Sequence, residues 1–236
     1  MVTVRTPVGD IVAKHPRAAA VFERHAIDYC CHGDRPLLLA CTRARADPAV
    51  VLQQLTRVAN ESLGERDWTV ASLGDLTAHI VAVHHAALRA GVASIAAWLH
   101  PGTGEGGATD IDGEVGVLFA LFRAGLEPHL RREEEQLFPA IARLERIRCT
   151  NGPRPSEPAE RFHAELPALV GEHRSIDARL RQLRRAAAEP GAEVVRPRRA
   201  TAVHDLAVLE ADVHRHLHLE NNILFPRAIA LEAAYE

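Results

Sequence analysis

Two stretches of this 236-residue chain each place a glutamate four residues after a histidine, in the same setting. One reads His129-Leu-Arg-Arg-Glu133-Glu-Glu-Gln-Leu137-Phe138-Pro139 and the other His216-Leu-His-Leu-Glu220-Asn-Asn-Ile-Leu224-Phe225-Pro226. Both follow H-L-x-x-E-x-x-x-L-F-P, at an offset of 87 residues. On a helix, residues i and i+4 share a face, so the His and Glu of each copy can reach one interior point. A single H-x-x-x-E is common by chance; its duplication gives it weight. The competing reading is a repeated packing motif, with Leu-Phe in the core and His-Glu on the surface. Leu137 and Leu224 argue against it, because eight residues beyond the histidines they return to roughly the same face. If that face is core, two carboxylates are buried and need compensating charge.

The rest of a metal-binding set stands upstream of each copy. His85 lies 44 residues before His129, and His173 lies 43 residues before His216. Apolar stripes of similar spacing flank them, Ile80, Val81 and Leu88 in one case and Leu169, Val170 and Ile176 in the other. His84 competes with His85, and spacing leaves that choice open. Four imidazoles and two carboxylates suit a pair of divalent ions sharing two bridging glutamates. Octahedral iron in such a site keeps two positions, one for an oxo or hydroxo bridge and one for a small exogenous ligand. Mixed N/O donors favour iron, and manganese or zinc fit the same donor types. A structural zinc site would be closed and tetrahedral, often with thiolates. No cysteine stands at ligand spacing in these segments.

Such donors need long helices to carry them. Apolar residues recur at three- and four-residue spacing, β-branched runs are short, and Ala, Leu, Arg and Glu dominate, an all-α pattern. The spacing predicts four long helices over 72–99, 112–147, 159–188 and 198–233. Strong breakers separate them: Pro101-Gly102-Thr103-Gly104, Asn151 to Pro155, and Glu189-Pro190-Gly191. Together they imply an up-down-up-down four-helix bundle. Ahead of it, short helices are expected over 8–15, 17–26, 35–42 and 47–62, with Asp47-Pro48 as cap and first helical residue. The domain division expected is a small helical domain over 1–62, a linker over 63–71 and the bundle over 72–236.

Bulk composition narrows the function classes. The net charge is −3 with 25% charged and 47% hydrophobic residues, which gives no reason to expect nucleic acid or an acidic membrane surface as partner. Charged residues from Arg5 to Arg17 precede any apolar run, so no signal peptide is expected. The least polar stretch, 86–99, is broken by Arg89 and too short to span a bilayer. The expectation is a cytoplasmic protein whose four cysteines are free thiols. There are 14 histidines, far more than one site needs. Apart from the open choice between His84 and His85, those at 79, 100, 163, 204, 214 and 218 have no ligand role that can be defended. His214 and His218 point away from His216, as exposed or supporting residues. In Arg131-Arg132-Glu133-Glu134-Glu135 only Glu133 is expected to turn inward, and Arg196 to Arg199 reads as a basic spot in a loop. Cys41 and Cys149 read as packing or exposed thiols. The adjacent Cys30 and Cys31 cannot easily form a relaxed disulfide with each other. They read as a reactive thiol pair, a metal-transfer point or an intermolecular disulfide, against two small residues filling a helix end.

The repeat, with its H-L-x-x-E-N-N-I-L-F-P copy, resembles hemerythrin-like di-iron proteins. Val21-Phe22-Glu23-Arg24-His25-Ala26-Ile27-Asp28-Tyr29-Cys30-Cys31-His32-Gly33 resembles the cysteine-pair domain that precedes the bundle in the Repair of Iron Centers family. The likeness covers about residues 5 to 232. It implies His85, His129, Glu133, His173, His216 and Glu220 as ligands of two non-haem iron ions, favouring His85 over His84. It implies Glu172 in a supporting place beside the metals, and a function for Cys30 and Cys31. It further implies a link to nitrosative and oxidative stress, through iron delivery to damaged iron–sulfur proteins or through binding or reduction of nitric oxide. A sensor of oxygen or nitric oxide, an iron-storage module and a metal-free interaction bundle are the rival classes. A homodimer is compatible with all of them. One departure stands out: the family often has Cys-Cys-Gly-Gly, and His32 here follows the cysteines, where it can alter thiol reactivity or add a donor.

Overall fold

The computed structural model describes residues 2–61, 66–99, 113–150, 162–189 and 196–234. Among these the chain is helical, and its one extended pairing is an isolated antiparallel bridge between Pro7 and Pro36. Four short helices come first: α1 (Val8–Lys14), α2 (Ala18–Arg24), α3 (Leu37–Ala44) and α4 (Pro48–Glu61). Asp47 Oδ1 accepts from the Ala49 amide at 2.8 Å, and Pro48 occupies the first turn, where a missing N–H costs nothing. Pro36 stands ahead of α3 and starts it two residues later than expected. Arg45, in the left-handed region at φ 56°, ends it.

Four long helices follow. α5 (73–99) consists of Leu73–His79, a π-helical stretch Ile80–His85, and Ala86–Leu99. α6 (114–149) is interrupted by a π turn at Glu133–Leu137, and α8 (196–233) by one at Glu220–Leu224. α7 (Phe162–Ala188) is α-helical throughout. Ser72 caps α5, its Oγ accepting from the Asp75 amide at 3.0 Å. Each long helix packs on its neighbours in sequence, and α8 closes the ring against α5, the arrangement expected of an up-down-up-down bundle. The breakers at 101–104 and 151–155, helix residues 112 and 159–161, and His100 lie outside the described residues. Arg196 to Arg199, expected in a loop, form the first turn of α8.

One expectation needs correction. Leu73–Ala97 is long and apolar enough, by length and composition, to cross a membrane. Reading only 86–99 shortened it, because the helix runs unbroken through the π stretch. Here it packs against α6 and α8 and carries Leu76, Ile80, His85, Leu88 and Ile95 into the core at 0% exposure.

The bundle core has two apolar layers. Leu76, Ile80, Phe138, Ile141, Phe162, Leu166 and Phe225 belong to one. Leu88, Phe122, Leu126, Leu130, Ile176, Leu180 and Leu217 belong to the other, which is continuous with the small helices through Phe22, Tyr29 and Leu37. Those helices rest on α8. Asn222 Nδ2 donates to the Tyr29 carbonyl and to the Cys30 carbonyl, each at 3.1 Å. Gly9 and Gly33 line the other side of that amide. A Cβ on Gly33 would stand 2.0 Å from Asn222 Oδ1, so the close approach requires glycine.

Candidate metal centre

All six donors singled out by the repeat and its upstream histidines meet between the two apolar layers. His85, His173, Glu133 and Glu220 are 0% exposed, His216 1% and His129 3%. α5 and α7 each deliver one imidazole; α6 and α8 each deliver a His–Glu pair. His85 rather than His84 lies in the cluster. His84 instead lies edge-on to His79, which stacks on Trp68 at 4.3 Å between ring centres.

The donors sort into two sets of four, each lying within 4.8 Å: His85, His216, Glu133 and Glu220, and His129, His173, Glu133 and Glu220. Both glutamates belong to both sets, and each turns one oxygen to each. Glu133 Oε1 is 3.1 Å from His129 Nε2 and 3.6 Å from His173 Nε2. Its Oε2 is 3.5 Å from His85 Nε2 and 3.9 Å from His216 Nε2. Glu220 Oε2 is 3.2 Å from His173 Nε2, while its Oε1 is 2.9 Å from His216 Nε2 and 4.0 Å from His85 Nε2. Within each set two imidazole nitrogens face each other, His85 to His216 at 3.2 Å and His129 to His173 at 3.0 Å. Neighbouring ligands on an octahedral ion, with bonds near 2.1 Å, stand about 3.0 Å apart. The spacings therefore match donors arranged around a cation.

The outer ring nitrogens show why Nε2 faces inward. His85 Nδ1 lies 2.7 Å from Glu134 Oε1, which Arg89 grips with two further bonds of 2.8 and 3.2 Å to the carboxylate. His129 Nδ1 lies 3.0 Å from Glu172 Oε2, itself held by Arg132 at 2.5 Å. His173 Nδ1 lies 2.8 Å from Asn221 Oδ1. An imidazole that donates from Nδ1 keeps a lone pair on Nε2, so His129 and His173, facing each other at 3.0 Å, need a cation or a proton between them. Both Glu133 oxygens, Glu220 Oε2 and His216 Nδ1 are buried without a hydrogen bond among the described residues. Buried carboxylates left in this way fit a site built to hold positive charge. Without a metal that charge must be protons. Burial alone would lower His173, but the Glu133 and Glu220 carboxylates push it up to about 10.

Glu172 thus stands beside His129, as the resemblance implied. Glu134 and Asn221 were missed. Glu134 was expected on a solvated face, yet it holds the His85 ring as Glu172 holds that of His129. The only signal for either was adjacency to a ligand, since the next residue lies about 100° around the helix and can meet a ring from a neighbouring one. His214 and His218 are neither exposed nor beside the cluster. His214 is clamped between Glu23 of α2 and Asp177 of α7, at 2.9 and 3.0 Å, and His218 lies under Tyr29. Cys30 and Cys31 fall in the bend after α2, not at a helix end. Their sulfurs are 3.6 Å apart. Cys30 is buried, Cys31 half-buried, Cys41 buried and Cys149 exposed.

The π turns explain the Leu-Phe-Pro of each repeat. Pro139 and Pro226 have no N–H to offer the preceding turn. There the amides of Phe138 and Phe225 reach back five residues, to the carbonyls of Glu133 and Glu220. The widened turn starts at Glu133 in one helix and at Glu220 in the other, and such π turns often mark functional sites.

Fold and cluster together define a hemerythrin-type cation-binding bundle. Residues 76–228 match the hemerythrin HHE cation binding domain, and residues 4–59 match a domain of unknown function (DUF542). The chain is 30% identical over 237 residues to the iron-sulfur cluster repair protein YtfE of Salmonella choleraesuis strain SC-B67, covering 96% of this chain and 97% of that one. It is 29% identical, with the same coverage, to the proteins of that name from Salmonella paratyphi B and Salmonella newport. The chain belongs to the hemerythrin-like Repair of Iron Centers family.

Proposed function

We propose that His85, His129, Glu133, His173, His216 and Glu220 would hold two non-haem iron ions, and that the protein serves the repair of iron–sulfur clusters damaged by nitrosative or oxidative stress. The observation that carries this reading is the division of each carboxylate, one oxygen toward each imidazole pair. The repair role is supported by the name shared by relatives that match along nearly the whole chain. Bound iron would supply open coordination positions for nitric oxide or oxygen and reversible one-electron chemistry.

The chain's own contribution is orientation and insulation. Glu134, Glu172 and Asn221 hold three rings with Nε2 inward. Phe138 packs against His85 and Phe225 stacks on His173, with ring centres 5.7 and 5.6 Å apart; both keep bulk water from the donors. Six neutral or singly charged donors from four helices allow release as well as binding, which iron delivery requires. Beside the centre, a groove of about 750 Å³ between α5 and α6 carries Arg89, Arg123, Arg131 and Arg132 on its walls. A reducing, cytoplasmic setting belongs to this reading, since it would keep the thiols free.

The test is transfer. Iron-loaded protein should restore a nitric-oxide-damaged iron–sulfur enzyme, and the Glu133→Leu/Glu220→Leu variant should not. Equal recovery with the variant, or none with either, would count against repair by iron delivery. Nitric oxide consumption under reducing conditions distinguishes reduction from sensing or storage, which require none.

A further inference from the structure

The bend after α2 gathers a second group of donors that the His/Glu centre does not use. Asp28, Cys30 and Cys31 bring one carboxylate oxygen and two sulfurs within 4.8 Å of one another. Cys30 Sγ is 3.6 Å from Cys31 Sγ and 3.6 Å from Asp28 Oδ1. On a tetrahedral divalent ion with metal–sulfur bonds near 2.3 Å and metal–oxygen bonds near 2.0 Å, two sulfurs stand about 3.8 Å apart and sulfur and oxygen about 3.5 Å. The two Cys30 separations match edges of such a tetrahedron, and the third pair lies within 4.8 Å. We propose that Asp28, Cys30 and Cys31 form a second, mononuclear site for a thiophilic divalent cation, distinct from the bundle centre, with one coordination position left for an incoming donor.

Local structure fixes the three donors. The Cys31 amide donates to Asp28 Oδ1 at 3.0 Å, turning that oxygen toward the sulfurs. His32 Nδ1 lies 2.6 Å from the other oxygen, Oδ2. His32 therefore acts as the positioning residue of the carboxylate, as outer groups do in metal sites generally. Here the residue in the place of the family's glycine gains a role. Cys30 is 1% exposed, whereas the Asp28 and His32 side chains are 20% and 35% exposed, so a cation would enter from their side. Both cysteines would bind a cation as thiolates. Binding releases the remaining thiol protons to solvent: one cation enters and up to two protons leave, with no change of oxidation state. The site is also tied to the bundle centre. Asn221 Nδ2 donates to the Cys30 carbonyl at 3.2 Å, while its Oδ1 lies 2.8 Å from His173 Nδ1.

Cobalt(II) distinguishes the two sites, because only thiolate ligation gives a sulfur-to-cobalt charge-transfer band in the near ultraviolet. The full chain, kept reduced with a phosphine, is titrated anaerobically with cobalt chloride. The expected result is a thiolate band that saturates at one cobalt per chain, in addition to cobalt held without such a band. Cys31→Ser should reduce the band by about half and Cys30→Ser/Cys31→Ser should abolish it, with circular dichroism verifying that the helices persist. His32→Gly should leave the band height unchanged while weakening cobalt affinity about tenfold, and Asp28→Asn at least as much. The inference does not rest on the bundle reading: Glu133→Leu/Glu220→Leu should keep the band. Absence of the band in the wild-type chain would overturn the site. Its survival in the double cysteine variant, or unchanged affinity in both Asp28→Asn and His32→Gly, would do the same.

Discussion

Each inward imidazole offers Nε2 to the cluster, and for three of the four the choice is made by the partner of Nδ1. Glu134 and Glu172 are partly exposed carboxylates, held in turn by Arg89 and Arg132. They touch no other donor, so their effect runs through ring orientation and basicity. Glu134→Ala should weaken iron binding about 10–100-fold while leaving the melting of the metal-free chain nearly unchanged; chelator competition and calorimetry check the two halves. Loss of stability without loss of affinity would assign Glu134 to packing. At this scale the sequence was most legible where it repeated itself. The 87-residue offset picked His129, Glu133, His216 and Glu220; symmetry added His173 and either His84 or His85, and the family resemblance favoured His85. Glu134 and Asn221 stayed hidden because their roles depend on rings from other helices, a long-range contact that helical spacing does not encode.

At the scale of elements, the four long helices follow from apolar spacing and from the breakers between them. The π turns do not, since a helix template assumes bonding four residues back. Those of α6 and α8 were nevertheless written in the chain, in the proline closing each Leu-Phe-Pro, whereas the stretch Ile80–His85 carries no such mark. Pro139→Ala would return an N–H to the preceding turn of α6 and let it tighten to α geometry, rotating Glu133 relative to His129. The expected outcome is unchanged helix content with iron affinity reduced about tenfold, or ~1.4 kcal/mol, read by circular dichroism and chelator titration. The contact between α8 and the small helices makes a second prediction. Gly33→Ala would drive a Cβ into Asn222, and overpacking of this kind costs about 1–3 kcal/mol. Denaturant unfolding should show that loss, and Asn222→Ala in the same chain should recover part of it.

For the whole molecule, the site is a polar layer between two apolar ones, with the cysteine-bearing bend docked against the helix that supplies His216 and Glu220. Four imidazoles and two carboxylates buried together are costly without a cation among them. Metal should therefore stabilise the fold by mass action, by about 2.7 kcal/mol at a hundredfold excess over the dissociation constant. Chelation should lower the melting temperature correspondingly; a purely structural bundle would melt unchanged. Composition announced this layer only as an excess of histidine, and most of the 14 do other things. His214 bridges the small helices to α7, and His79 stacks on Trp68. Docking of that kind joins residues nearly 200 positions apart, as in Glu23 with His214, and no local pattern in the chain marks it.

The central claim is that Glu133 and Glu220 are shared between two cation sites. Iron content per chain, measured on reconstituted wild-type protein and on Glu133→Leu/Glu220→Leu, tests it most directly. The account predicts two irons per chain, one for each donor set, and near-complete loss of both in the double variant. A wild-type chain that takes up no iron, or a variant that keeps its full complement, would contradict it.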